Sequence, residues 1–247
     1  ATGLNKYGCS PRPRPEAITF SSCTASSVSD FAYCEAELLR HRLMATLADD
    51  SLTQRYDLEM EKVRADLSQL LDLDQLEAEV ILSASGTDAE LYPLVLFRSP
   101  EKRRLVNIIV GPDEVGSGTV LAAGGKHFSS MTPHGKAVRA GDAVAELDTE
   151  SIEVVTIPIR QPDGSVQSVE EVQSNVTRAV AQADQRADII LLHVVDNTKT
   201  GLVVPDVEFV LQLQADYRAK LCVVVDACQF RLEKVHLLRY LKHGFCM

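Results

Sequence analysis

The sequence of 247 residues has no long apolar segment and no surplus of positive charge. No apolar run reaches the length needed to cross a bilayer, and the N-terminus has no hydrophobic signal core, so we expect a soluble, cytoplasmic protein. The net charge is −10 at pH 7. Because phosphate backbones attract clustered lysine and arginine, this charge predicts no nucleic-acid partner.

The sequence also has no paired cysteine motif and no cluster of metal ligands. Its six cysteines form no CxxC pair, and no Cys/His cluster has the spacing of zinc ligands. We therefore expect a reducing compartment and no metal site. With 45% hydrophobic and 24% charged residues, the composition is that of a globular protein. The length suits one large α/β domain or two modest ones.

The first 50 residues are predicted to form an N-terminal arm and a first helix. Prolines alternate with polar residues at 11, 13 and 15, which favours an extended arm, and a helix is predicted to begin near Asp30. A strong helical pattern over 54–79 places apolar residues on one face. It opens the main domain, which we predict to span residues 51–247.

Beyond this helix, short apolar runs alternate with helical patterns. Strands are predicted at 80–82, 105–110, 152–157, 189–195 and 221–225, and helices at 90–97, 169–183, 206–219 and 232–243. Apolar strands separated by helices predict an α/β fold with a mostly parallel sheet sandwiched by helices. In such folds ligands bind at the carboxyl ends of the strands.

The first candidate ligand site is the small turn at 83–88, which enters a predicted helix. Free backbone amides and a hydroxyl at Gly86 and Thr87 would suit a phosphate or a carboxylate. An ordinary helix N-cap explains the same residues equally well. The turn is neither a Walker loop nor a GxGxxG fingerprint.

Three further segments follow predicted strands. The glycine-rich stretch 111–119 either lets backbone approach a ligand or is a flexible loop. The polar stretch 196–201 either faces the same crevice or is ordinary turn chemistry. Asp226 ends an apolar strand, where a carboxylate is costly unless it meets a cation or strong donors, although it could also cap the next helix.

The series SGTDA (85–89), HVVDNTKTG (193–201) and VVVDACQF (223–230) resembles fold-type I enzymes that use pyridoxal 5′-phosphate (PLP). The similarity is to the class V aminotransferase and cysteine desulfurase family, over its N-terminal and large-domain part, roughly positions 50–247. It implies a PLP-dependent transferase-like large domain. It also implies that Gly86 and Thr87 hold the cofactor phosphate, Asp226 pairs with the pyridinium nitrogen, and Gln229 and Asn197 lie at the edge of the ring.

This family places a His or an aromatic residue against the cofactor ring, following a Glu, whereas here Glu114 is followed by Val115. The resemblance therefore leaves Glu114, Val115 and His127, or its neighbour Phe128, as candidate residues facing the ring. The implied activity is that of an aminotransferase, a lyase or a desulfurase-like enzyme acting on an amino acid or amine. A homodimer is implied as well.

The Schiff-base lysine of this family follows the Asp after one helix and one short strand. Here the chain ends at Met247, 21 residues after Asp226, and Lys234 and Lys242 fall in the intervening helix. We therefore expect a large domain that is truncated at its C-terminal end, with residues 244–247 beginning the strand that leads to the lysine. The lysine itself would lie outside this chain.

Two other functions fit the sequence. One is a noncatalytic binding or scaffold protein that uses the PLP-enzyme fold without its lysine. The other is a different α/β enzyme that binds a phosphorylated ligand at Gly86 and Thr87.

Overall fold

The computed structural model describes residues 9–18, 26–45, 51–99, 104–227 and 230–247. The chain divides into two compact units, Ala1–Asp74 and Gln75–Met247. The predicted boundary after residue 50 falls inside the first of these units. Among the described residues, no helix combines the length and apolarity that a membrane span requires.

The first unit contains helix α1 (Asp30–Ala45) and helix α2 (Leu52–Leu71). Ser51 caps α2, its side chain accepting a hydrogen bond from the backbone N–H of Gln54. Asp72 ends the helix in the left-handed conformation, with φ of 56° and its N–H bonded to carbonyls of the last turn. The predicted helix over 54–79 therefore extends too far, because this C-cap stops it eight residues earlier.

The second unit is built on a four-stranded, all-parallel sheet with the strand order β2-β1-β3-β4. The strands are β1 (Leu105–Val110), β2 (Ile152–Ile157), β3 (Ile189–Val195) and β4 (Leu221–Asp226). These four confirm the predictions made from their apolar runs. β1 and β3 are buried along their whole length, as expected for central strands of a parallel sheet.

Helices cover both faces of this sheet, which confirms the predicted α/β fold. The helices are α3 (Gly86–Ala89), α4 (Leu91–Leu96), α5 (Thr119–Ala123), α6 (Val169–Asp184), α7 (Val207–Asp216) and α8 (Lys234–Lys242). The larger core cluster joins one face of the sheet to α6, α7 and α8. On the other face, Leu94 of α4 packs with Leu105, Ile189 and Leu191.

The predicted strand at 80–82 is wrong, since the segment has no strand structure. Ile81 is 51% exposed, so the apolar run is not buried in the sheet. Three apolar residues are too few to distinguish a core strand from an exposed connection. The short helix α5 was not predicted, because its sequence reads as a continuation of a glycine-rich loop.

Residues 244–247, predicted to begin a strand, contain one isolated bridge to β4. Cys246 pairs in parallel with Val224, donating to the carbonyl of Val223 at 3.0 Å. Its own carbonyl accepts from the N–H of Val225 at 2.8 Å. Cys246 thus lies beside β4, outside the four strands of the sheet.

Replacing Ser168 should reveal what helix capping contributes to this fold. Ser168 and Glu171 form a reciprocal capping box at the start of α6. Because Ser168→Ala leaves a first-turn N–H without its acceptor, we expect the free energy of unfolding to fall by about 1 kcal/mol in urea titrations. Thr177→Ala, later in the same helix, is the control. An unchanged midpoint for Ser168→Ala would contradict the role of the cap.

Candidate functional site

The carboxyl ends of β1, β3 and β4 are adjacent, so the loops that follow them meet at one edge of the sheet. Asp226, the last residue of β4, is in register with Val195 of β3. The N–H of Asp196 donates to the carbonyl of Asp226 at 3.0 Å. The structure thus brings two of the predicted cofactor residues, Asn197 and Asp226, to neighbouring strand ends.

Asp226 lies on the sheet face that α4 and α5 cover. Side chains alternate along a strand, so Asp226 shares a face with Val224 and Cys222. Cys222 packs against the small cluster around Leu94 on that face. The Asp226 carboxylate is half-buried. It is therefore oriented toward the side of the sheet on which α3 and α4 lie.

The turn at 85–89 forms the start of α3. Ser85 is its N-cap, accepting from the N–H of Asp88 at 3.1 Å and donating its hydroxyl to Asp88 Oδ2 at 2.6 Å. Thr87 does not serve as the cap, so its hydroxyl is not committed to that role. A Cβ placed on Gly86 would meet no described atom within 4 Å, which leaves space at the turn.

The turn packs against the glycine-rich loop that follows β1. A Cβ on Gly116 would lie 3.3 Å from the Thr87 hydroxyl and 3.2 Å from that of Thr119. A Cβ on Gly118 would lie 2.9 Å from Phe128, too close for any other residue without movement. The glycines at 116 and 118 are thus explained by close packing between loops, and Phe128 is committed to that packing.

Glu114 is buried in a polar cluster and does not project as an isolated acid. Its Oε1 accepts from Arg160 Nε at 2.6 Å and from the Thr200 hydroxyl at 3.0 Å. The Arg160 guanidinium also donates to Thr200 and to the carbonyl of Gly164. The cluster ties the loops after β1, β2 and β3 to one another at the carboxyl edge.

Val115 and His127, the other residues predicted to face the ring, are buried and half-buried respectively. The Val115 carbonyl accepts from Lys199 Nζ at 2.6 Å. His127 is held through its backbone, which pairs with Asp142 and Gly141. Gln229, predicted at the ring edge, lies outside the described residues. The residues that the structure describes contain no group of three or more His, Cys, Asp or Glu that could hold a metal.

Asp196 and Tyr240 hold the loop that carries Asn197. Buried Asp196 accepts from the Tyr240 hydroxyl at 2.8 Å and from the Asn197 side-chain amide at 2.6 Å. Burial, together with the hydrogen bond to Asp196, raises the pKa of Tyr240, so the phenol stays protonated and donates. Asn197 has φ of 57°, the left-handed region that Asn tolerates better than most residues.

Sequence reasoning missed the residues that support this edge. Arg160 reaches Glu114 across 46 positions of sequence, and Tyr240 reaches Asp196 across 44. Neither pairing has a local sequence pattern. A signal was available for Asp196 itself, since an acidic residue directly after a mostly apolar strand needs a buried donor.

Acid should weaken the second unit partly through Glu114. Burial would raise the pKa of this carboxyl, but hydrogen bonds from Arg160 and Thr200 outweigh burial and hold the pKa below its ordinary value of 4.5. A lowered folded pKa stabilises the fold above pH 4.5, and this stabilisation is lost as the pH falls through the folded value. Urea titrations between pH 6 and pH 3 should therefore show a shallower loss of stability for Glu114→Gln than for the parent. Equal slopes would contradict this account.

Comparison with known proteins gives little beyond these observations. No protein-family model matches the sequence, and no curated protein matches it. Among solved structures, the chain is similar to the apo form of mouse CSAD, with a TM-score of 0.48 and 14% sequence identity. The aligned part covers 88% of this chain and 42% of that one, so the chain spans less than half the length of that protein. The proposals that follow therefore rest on the residues of this chain.

Proposed function

We propose that this chain binds PLP at the carboxyl edge of its sheet and forms the large-domain part of a PLP-dependent enzyme acting on an amino acid or amine. The observation that carries the proposal is the placement of Asp226 relative to the turn at Gly86 and Thr87. The carboxylate lies on the sheet face that α4 covers, and the turn leads through α3 directly into α4. Asn197 lies in the loop that follows β3, the strand between β1 and β4.

The residues suit the three polar parts of PLP. An anionic phosphate would fit the turn at Gly86, where an added Cβ would meet no described atom within 4 Å. The N–H of Asp88 already donates to Ser85, and α3 has only four residues, so the N–H groups of Gly86 and Thr87 and the Thr87 hydroxyl, more than a helix dipole, would supply the binding. A pyridine nitrogen fits the half-buried Asp226 carboxylate at the end of β4.

When bound, PLP supplies an electron sink for negative charge at the α-carbon of an amino acid. The residues of this chain would prepare that chemistry. Asp226 keeps a proton on the ring nitrogen, because a carboxylate in a partly desolvated site favours its cationic partner. Asp196 and Tyr240 fix the loop of Asn197, and the cluster around Glu114 fixes the neighbouring loops.

The proposal for these 247 residues concerns cofactor binding without a covalent bond. No lysine here matches the position of the family's Schiff-base lysine, since Lys234 and Lys242 lie within or at the ends of α8. The residues present are compatible with aminotransfer, β-elimination and retro-aldol cleavage. We further propose that the enzyme works as a homodimer, as the family resemblance implies.

Equilibrium dialysis tests the binding directly. The protein should retain PLP saturably, close to one molecule per chain, and should retain pyridoxine, which has no phosphate, more weakly. Retention of neither compound would contradict the proposal. Equal retention of PLP and of small unrelated phosphates would instead favour an enzyme for some other phosphorylated ligand.

A further inference from the structure

A histidine and a glutamate form a buried pair beneath the proposed site. His193 of β3 is 2% exposed and Glu90, between α3 and α4, is 8% exposed. His193 Nδ1 lies 2.9 Å from Glu90 Oε2. Neither Glu90 Oε2 nor either ring nitrogen of His193 has a hydrogen-bond partner among the described residues. The two side chains form a close, buried contact between a carboxyl group and an imidazole.

The pair lies one layer below the edge at which Asp226 ends. His193 is in register with Val224, and Val195, two residues further on, is in register with Asp226. Residues two apart in a strand point to the same face and are separated by about 7 Å. His193 and Asp226 therefore belong to the same face of the sheet, the one that α4 covers.

Glu90 connects this layer to the phosphate turn. It directly follows Ala89, the last residue of α3, and directly precedes Leu91, the first residue of α4. Because α3 is only four residues long, fixing Glu90 fixes the far end of the helix that begins at Gly86 and Thr87. On the outer side, Thr87 of the same helix lies close to the loop at Gly116, since a Cβ added to Gly116 would be 3.3 Å from the Thr87 hydroxyl.

A buried carboxyl group needs a polar partner, since an isolated polar group is disfavoured away from water. Buried polar or ionic pairs add little stability compared with apolar residues of the same size, but they can specify one arrangement over others. A pair that joins a central strand to the joint between two short helices can specify where those helices sit.

We propose that the Glu90–His193 pair is a positioning device for the phosphate turn, so that affinity for the phosphate group of the ligand depends on it. The inference rests on the proposed PLP site and names residues that would act through Gly86 and Thr87. Neither Glu90 nor His193 needs to touch the ligand. Their effect falls on the phosphate end and leaves recognition of the ring to Asp226.

The test compares PLP with pyridoxal, which carries the same ring and aldehyde without the phosphate. Dissociation constants for both are measured with the parent chain, with Glu90→Gln and with the control Glu150→Gln, an exposed acid in the same unit. We expect Glu90→Gln to weaken PLP binding about tenfold, because a small misplacement of a binding group is costly. Pyridoxal binding and the control should stay within about twofold of the parent.

His193→Gln is measured as a second variant, so that the positioning role can still be tested if Glu90→Gln does not fold. It should show the same selective loss. The double variant Glu90→Gln/His193→Gln, in which two amides can hydrogen-bond, should recover part of the preference for PLP. A purely structural role would lower the melting temperature and leave the ratio of PLP to pyridoxal affinity unchanged.

The outcomes separate the two proposals. If the parent prefers PLP and folded Glu90→Gln keeps that preference, the positioning role is overturned while the PLP site stands. A parallel loss of both ligands also overturns it, because the effect is then not on the phosphate. If the parent binds neither ligand, or does not prefer PLP, the proposed phosphate site itself fails.

Discussion

Asp226→Asn should weaken PLP binding by about tenfold to a hundredfold, since a hydrogen bond between charged groups contributes roughly 1.5–3 kcal/mol. Asn has nearly the same size as Asp but carries no charge to stabilise a protonated ring nitrogen. The half-buried position at the end of β4 increases the expected difference in PLP affinity between the parent and Asp226→Asn, because water cannot fully replace the lost carboxylate. Dialysis with PLP measures the change.

Asp216→Asn is the matched control for this experiment. Asp216 is exposed at the end of α7 and interacts with Gln212. Its replacement should leave PLP binding unchanged. Equal binding by Asp226→Asn and the parent would mean that Asp226 serves only the local structure around β4. The resemblance of VVVDACQF to the PLP motif would then have no functional basis.

Leu192→Ala should have the largest effect on stability, lowering the free energy of unfolding by about 2–5 kcal/mol. Leu192 is fully buried in the middle of β3, within the core shared with α6 and α7. Truncation removes apolar contacts and leaves a cavity that rigid neighbouring strands cannot close. Urea titrations with the parent and the variant give the difference.

Leu96→Ala provides the comparison for this experiment, because Leu96 lies in the same unit but is 56% exposed at the end of α4. Its replacement should change the free energy of unfolding by no more than about 0.5 kcal/mol. Similar losses for the two variants would show that the buried sheet is not the main source of stability.

The sheet was predictable because its signals are local. β1, β3 and β4 are mostly apolar runs between polar turns, interrupted by Asn107 in β1 and His193 in β3, and the structure places each where its run predicts. The run at 80–82 has the same composition but only three residues, and the structure leaves it outside the sheet. The end of α2 was missed because Asp72 adopts a left-handed conformation. Asp tolerates this conformation, but its presence in the sequence does not predict it.

The candidate site was predictable only in part. The residues after each strand could be named from the rule that ligands bind at carboxyl ends of parallel strands. Their partners could not, because Glu114 with Arg160, and Glu90 with His193, come together through the fold. Glu90 follows directly after the SGTDA motif, yet it contacts His193 of β3, a strand that begins 99 residues later in the sequence.

The most direct test of the PLP site is the protonation state of the ring nitrogen of bound PLP. The cofactor would be labelled with ¹⁵N in its ring and observed by NMR at a pH at which the nitrogen of free PLP is unprotonated. This account predicts a pyridinium signal with the parent chain and its loss in Asp226→Asn. A neutral pyridine signal from PLP bound to the parent would contradict the pairing with Asp226, and with it the central claim.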